Sequence, residues 1–381
     1  MMIRKVILVL LIVLLALFGF AWDTSSDKRI QKTFNVSAGK TLDIDLKSGG
    51  PIHIKGWQKQ QVDIVVRFKN GNARDWKITF NKTEEGVEVE SRYAGTRSKS
   101  YGSPAFDIHV PSRFNLKIRT MGGGITIEGV EGNFKGKTMG GALMLSRLKG
   151  EIDLKTMGGE VTLTDSDIDG KVKTMGGRVL FENVVGDVKG SSMGGNVIYK
   201  NVKSRSGGST GKVVSITTMG GAINVSDAPQ GAKVTTMGGD IHIKSAREFI
   251  KAKTMGGDIT IDSIDGWVKA TTMGGNVRVT MIGDPAKGDR HVTLSSLGGD
   301  ITLLVPPGLS MDIELQLSYT KESRKNYKII SDFNIRQKET DQWDYSMGSP
   351  RKYIYGKAQI KGGKHKIKIK TINGNIILKE K

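Results

Sequence analysis

Cysteine is absent from the 381 residues. Disulfide staples, thiolate metal sites, a cysteine nucleophile and a lipidated N-terminal cysteine are thereby excluded. Histidine is scarce: His53, His109, His242, His291 and His365 lie on separate segments and share no motif that would mark a catalytic or metal-binding constellation. Acidic residues are outnumbered, 38 against 58 lysines and arginines. They also do not cluster as a glycosidase or calcium-dependent lyase would need. Asp165, Asp167 and Asp169 stand in one irregular turn, and no acidic column recurs along the chain. No catalytic, cofactor-binding or metal-ligating residue is therefore expected.

Only one long apolar run is present, Val6 to Trp22, preceded by Arg4 and Lys5 and followed by Asp23-Thr24-Ser25-Ser26. With Gly19-Phe20-Ala21 as a small-x-small cleavage site, residues 1–22 read as a secretory signal peptide, the alternative being an uncleaved N-terminal anchor that would hold the protein at a membrane. Either way the remainder is exported, to a periplasm, a cell surface or the medium. Its formal charge of +20 points to an anionic partner or surface. In an exported chain nucleic acid is not the expected partner.

What the chain has in excess is glycine, 50 residues, placed periodically. Met-Gly-Gly occurs nine times, at Met121, Met139, Met157, Met175, Met193, Met219, Met237, Met255 and Met273, with a degenerate tenth copy at Leu297-Gly298-Gly299. Seven of the eight Met-to-Met intervals are 18 residues, and the exception, Met193 to Met219, is 26. A fixed short period means one unit stacked on copies of itself. Before each Met, small or apolar residues (Ile118, Leu154, Val172, Val234) alternate with polar ones. After the glycines the alternation restarts at Ile125, Val161, Ile241 and Ile259. Each unit thus holds two short strands and two glycine-bearing corners. The expected fold is all-β: a single-stranded parallel β-solenoid, or β-helix, of about 18 residues per coil with capping β segments at both ends. A calcium β-roll and a hexapeptide helix both fit the pattern poorly.

The Thr or Ser before every Met is expected to bond to the turn backbone and to its stacked neighbours. The Met itself is expected to pack under the corner as a flexible gap filler, with an exposed apolar ladder as the alternative. The sharpest functional signal lies two and four residues before Met. Lys117, Arg119, Lys135, Lys137, Lys155, Lys171, Lys173, Lys189, Lys233, Lys251, Lys253 and Lys269 should stack into a basic face suited to a polyanion. Like charges on neighbouring strands destabilise a sheet, so such a face calls for a compensating use, solubility or anion binding.

Residues 23–114 read as an N-terminal β capping region, 115–304 as the 18-residue repeat, and 305–381 as a C-terminal β region with an aromatic-rich insertion and a closing coil. Arg92 to Pro104, Ser204 to Gly211 and Gly283 to Arg290 read as loops. Seven of the 24 aromatics fall within 318–356; Trp343, Tyr345, Tyr353 and Tyr355 form a candidate patch for a glycan or partner protein, or else plug the open end.

The layout resembles the bacterial exported domain family labelled "putative adhesin". The likeness rests on Phe34-Asn35-Val36 at the start and Gly56-Trp57 near the first turn. It rests also on Val110-Pro111 and Val305-Pro306 flanking the repeats, the Thr-x-x-Gly-x-Ile/Val coils, and the closing Thr371 to Ile376. It covers residues 30–381 and departs in using Met-Gly where such coils more commonly carry a small polar residue and one Gly. The resemblance implies surface binding and supplies no functional residue. The expected function is that of a non-enzymatic, adhesin-like protein presenting a basic face to an anionic envelope polymer or polysaccharide. An envelope scaffold or sensor that binds a partner protein is the alternative, and a polysaccharide-degrading β-helix enzyme is a third.

Overall fold

A computed structural model describes residues 29–68, 73–95, 103–203, 213–323, 326–346 and 348–381. The N-terminal apolar run and the loop Ser204 to Gly211 lie outside these. The described residues are all-β, about 61% strand. Among the described residues the sole helical turn is a 3-10 turn at Ala73–Asp75.

Two ladders of parallel strands carry the repeat. In the leading ladder, before each Met, Asn115–Thr120 pairs with Glu131–Thr138, which pairs with Lys149–Thr156, and so on, each residue facing its counterpart one repeat away (Lys117 to Lys135 to Asp153). In the trailing ladder, after each Gly-Gly, Ile125–Glu128 pairs with Leu143–Ser146, which pairs with the first part of Val161–Lys173. The 26-residue interval does not disturb the register: Ser191 pairs with Thr217, each two residues before its Met. Inward positions from both ladders (Leu116, Ile118, Ile125, Ile127 and their equivalents) are buried in one continuous core. Tyr199 reaches across this core, its hydroxyl accepting the Gly190 N–H at 2.6 Å; burial raises its pKa strongly. A Cβ at Gly190 would stand 2.8 Å from the Val179 side chain and 3.0 Å from the Phe181 ring, so the missing side chain makes room for Phe181, whose ring lies tilted against that of Tyr199.

Each corner is fastened by the buried Thr or Ser before Met, as the spacing predicts. Thr174 Oγ1 donates to the Gly159 carbonyl of the preceding repeat at 2.7 Å and accepts the Gly177 N–H at 3.2 Å. A second fastening runs through Asp and Asn residues three positions after Met in the later repeats. Asp240 accepts the Asp258 N–H, Asp258 that of Asn276, Asn276 that of Asp300, and Asp300 that of Asn375. These side chains satisfy corner amides that the ladders leave free.

At both ends the order in the stack departs from the order in the chain. The first coil, Thr41–Leu46 with Ile52–Trp57, lies between the coil of Gly86–Tyr93 with Ala105–Pro111 and the first Met-Gly-Gly coil. The last coil, His365–Ile372 with Ile376–Glu380, lies between Val292–Ser295 with Ile301–Val305 and the coil begun by Met311–Thr320. Each terminal coil is paired on both edges, so fraying it breaks two ladders. The outermost rungs are covered by antiparallel strands: Trp76–Lys82 and Gln61–Arg67 at one end, Arg351–Ile360 at the other. The segment read as a loop from Arg92 begins as strand, since Gly86–Tyr93 runs on through Arg92 and Tyr93, while 96–102 lie outside the described residues.

Candidate binding faces

The leading ladder turns its lysines outward together. Eleven of the twelve predicted cations are exposed and Arg119 is half-buried. Among the described residues, ion pairs engage three of them: Lys117 with Asp43 at 2.6 Å, Arg119 with Asp43 and Asp45 at 3.7 and 3.5 Å, and Lys171 with Asp153 at 3.1 Å. Lys233 sits 5.9 Å from the Phe249 ring, which stacks on Trp267 at 5.0 Å. The charges follow the pleat: alternate residues point into the core, so a Lys-x-Lys pair sends both ammonium groups into solvent.

Two features of this face escape the repeat count. Its first rungs are acidic, because the coil ahead of Lys117 and Arg119 presents Asp43 and Asp45, and the one beyond presents Glu88 and Glu90. Its far end is extended by Lys368 and Lys370, which stand next to Thr293 and Ser295. The signal for these two was in the chain, since Lys-x-Lys-Thr precedes Ile372-Asn373-Gly374 as it precedes Met-Gly-Gly. Thr371 Oγ1 donates to the Gly299 carbonyl at 2.6 Å, in the manner of the other corner threonines.

The methionines are not under the corners. All nine are between 41% and 59% exposed, and Leu297 is 48% exposed. The expectation of a buried gap filler is therefore overturned. The corner is sealed from within by the Thr hydroxyl, and the second glycine lies against the backbone of the preceding repeat. A Cβ on Gly159 would stand 2.1 Å from the Gly141 oxygen, so no room remains beneath the corner for a thioether. Met157, Met175, Met193 and Met219 instead line a groove of about 700 Å³. Ser191, Ser215 and Thr217 line it too, as do Lys155, Lys171, Lys173 and Lys189.

The predicted aromatic patch is assembled at the C-terminal end of the stack. Tyr353 and Tyr355 stack at 5.9 Å, and Tyr319 meets Trp343 edge-on at 5.8 Å with Lys352 Nζ 5.5 Å from the indole. Tyr345 is the most exposed of the set, and Trp343 and Tyr353 are half-buried. Burial first, then the hydrogen bond to Glu339, pushes the Tyr319 hydroxyl up to about 12. Tyr353 donates to Asp344 at 3.0 Å and is raised in the same way, by burial before the carboxylate. These hydroxyls are held by carboxylates within the end structure, which ties part of the patch to a capping role.

The remaining acidic and histidine candidates are engaged with their neighbours. Asp165, Asp167 and Asp169 lie along Val161–Lys173, not in one free turn: Asp165 takes the Asn183 amide and Asp169 the Asp187 N–H, in the next repeat. His53 pairs with Asp107, His242 with Asp262, and His109 stacks on Trp57. Asp289, His291 and His365 do converge within metal-ligand range. Their hydrogen bonds oppose a metal. His365 Nδ1 accepts the Arg290 N–H at 3.3 Å and His291 Nδ1 accepts the Lys366 N–H at 2.8 Å, which leaves the proton of each neutral ring on Nε2. A ligating histidine donates from its outer nitrogen, the reverse arrangement.

No family model and no curated protein matches the chain. Among solved structures, the chain is similar to a "putative cell adhesion protein" of Clostridium sporogenes, with 10% identity over 93% of this chain and 100% of that one and a TM-score of 0.20. It is similar also to a "putative adhesin" of Parabacteroides distasonis, with 10% identity over 73% and 97% and a TM-score of 0.35. A third, a "putative adhesin" of Bacteroides fragilis, shows 11% identity over 93% and 98% at a TM-score of 0.26. Those names are adhesion names, and at such identities no residue role passes from these proteins to this chain.

Proposed function

We propose that the protein is an exported, non-enzymatic binding protein of the adhesin type. Its ladders form a single-stranded β-solenoid, and its leading face holds an anionic envelope polymer or polysaccharide. One observation carries the reading: of ten outward lysines on one face, from Lys135 to Lys269, nine make no ion pair to any described residue, and the tenth, Lys171, pairs with Asp153. Neighbouring rungs are about 4.8 Å apart. Lys135 faces Lys117 and Lys171 faces Lys189 across neighbouring strands, a placement that costs stability in the free protein and is relieved by a bound polyanion. A reading as scaffold or sensor would place the partner at the aromatic end instead, where the hydroxyl bonds to Glu339 and Asp344 are already made within the chain.

The test is binding of residues 23–381 to dextran sulfate at low and high salt, with Lys135, Lys173, Lys189 and Lys251 changed together to Gln. Exposed ion contacts contribute roughly 0.2–1 kcal/mol each, so the variant should bind about tenfold more weakly, with a shallower salt dependence. Equal binding by variant and wild type would refute the reading.

A further inference from the structure

The exposed methionine line calls for a use. Ten apolar side chains stand in register from Met121 to Leu297, a stripe about 43 Å long at the usual strand spacing. Soluble monomers rarely leave a continuous apolar stripe in water, and one rimmed by polar residues marks a contact surface. The column is apolar and not specifically sulfur: Leu297 takes the tenth rung, and Ile372, two residues past the Ser295–Lys370 pair as Leu297 is, takes the next. A soft-metal site would need the thioether itself, and the neighbouring lysines repel a cation. A second copy is also a poor occupant. Laying methionines against methionines would bring the lysine rows of both copies together. A water-soluble polyanion would satisfy the lysines and leave the stripe exposed.

We propose that this edge lies on an anionic lipid surface, with the methionines entering at the headgroup and acyl boundary and the lysines meeting the headgroups. Charge complementarity selects the occupant, because the same groove joins Met157, Met175, Met193 and Met219 to Lys155, Lys171, Lys173 and Lys189. Adsorption of this kind adds buried apolar area to electrostatic attraction. Long lysine stems can lie along the apolar surface while their ammonium groups stay at the phosphates. Methionine suits a fluid partner because its flexible chain adapts to irregular contacts. The proposal takes its charge from the lysine face described above and adds the lipid.

The lack of cysteine makes a site-specific test direct. In residues 23–381, Met193→Cys carrying an environment-sensitive fluorophore is mixed with vesicles of phosphatidylcholine and phosphatidylglycerol. A blue shift is expected on the anionic vesicles. None is expected from Arg278→Cys, which is exposed on the trailing ladder. Changing Met157, Met175, Met193 and Met219 together to Gln should lower vesicle partitioning about tenfold or more, since each substitution replaces an apolar thioether and methyl by an amide that is costly to take out of water. Binding to dextran sulfate should not change. A Met193 label that stays in water on vesicle-bound protein, or a Gln variant that partitions as the wild type does, overturns the lipid proposal and leaves the lysine reading standing. Wild-type protein that binds neither vesicles nor dextran sulfate removes both.

Discussion

Thr156 Oγ1 lies 2.7 Å from the carbonyl oxygen of Gly141, one repeat away, and accepts the N–H of Gly159 at 3.2 Å. One buried hydroxyl thus closes its own corner and ties it to the next. The same pair of bonds recurs at Thr236, Thr254 and Thr272. Thr156→Val keeps the shape and β-branching but strands a buried donor and a buried acceptor, which costs about 1–3 kcal/mol. Thr156→Ser should fall within about 1 kcal/mol of wild type, as it keeps the hydroxyl that Ser192 and Ser296 use natively. Urea unfolding measures both, and loss of exchange protection at the Gly159 amide locates the effect.

The two glycines of each corner are unequal. A Cβ on Gly159 would collide with the Gly141 oxygen at 2.1 Å, whereas one on Gly158 would meet its nearest atom, the Gly140 oxygen, at 3.7 Å. Neither residue has a positive φ, so close stacking and not backbone conformation sets the requirement. Gly158→Ala should leave stability unchanged or raise it by about 0.4–1 kcal/mol through the unfolded chain. Gly159→Ala should instead open the stack at that rung, seen as a lower urea midpoint and early proteolysis between residues 141 and 177. Equal effects at the two positions would contradict this account.

Much of this was legible in the chain. The 18-residue period, the alternation around Met and the Thr before it specify stacked rungs, and the lysine columns follow from their parity. The side of the methionines was not legible, because alternation breaks at a glycine corner and no neighbour restores it. Nor was the inequality of Gly158 and Gly159, which depends on a carbonyl one repeat away. Asp43 stands beside Lys117 only because the first coil is inserted behind a later one, a contact across 74 residues. Local pattern gives a rung its shape, and long-range pairing decides its neighbours.

The loop from Gly283 to Arg290, read as surface, is built round a buried side chain. Arg290 is 2% exposed, donating from Nε to the carbonyls of Asp284 and Lys287 at 3.1 Å, from Nη1 to Ile282 at 2.6 Å, and from Nη2 to Asp265 at 2.6 Å. The Asp265 side chain is 45% exposed and can be rehydrated, so most of the loss in a variant falls on the carbonyls. Arg290→Met should cost about 2–4 kcal/mol and expose the loop to protease. Asp265→Asn should cost about 1 kcal/mol or less. Equal costs in urea unfolding would show that the ion pair, and not the carbonyl cage, holds the loop.

The closing coil should weaken in acid. His365 is buried beside Arg290, with Lys364, His291 and Asp289 as its other charged or titratable neighbours. Burial first, then the Lys364 charge, lowers its pKa below the ordinary 6.5, while Asp289 opposes the shift. The folded state therefore binds fewer protons than the unfolded chain as pH falls through that range. The stability contribution is present above about pH 6.5 and declines as pH drops below it. His365 Nε2–H has no hydrogen-bond partner, and the proton gained in acid goes to Nδ1, where it breaks the bond from the Arg290 N–H, so the buried cation is left without an acceptor. Urea midpoints at pH 7 and pH 5 should differ for the wild type, with exchange protection of His365–Ile372 falling first. His365→Gln keeps an acceptor for the Arg290 N–H and cannot titrate, so its midpoint should depend less on pH over that interval. An unchanged dependence in the variant would assign the effect to other groups.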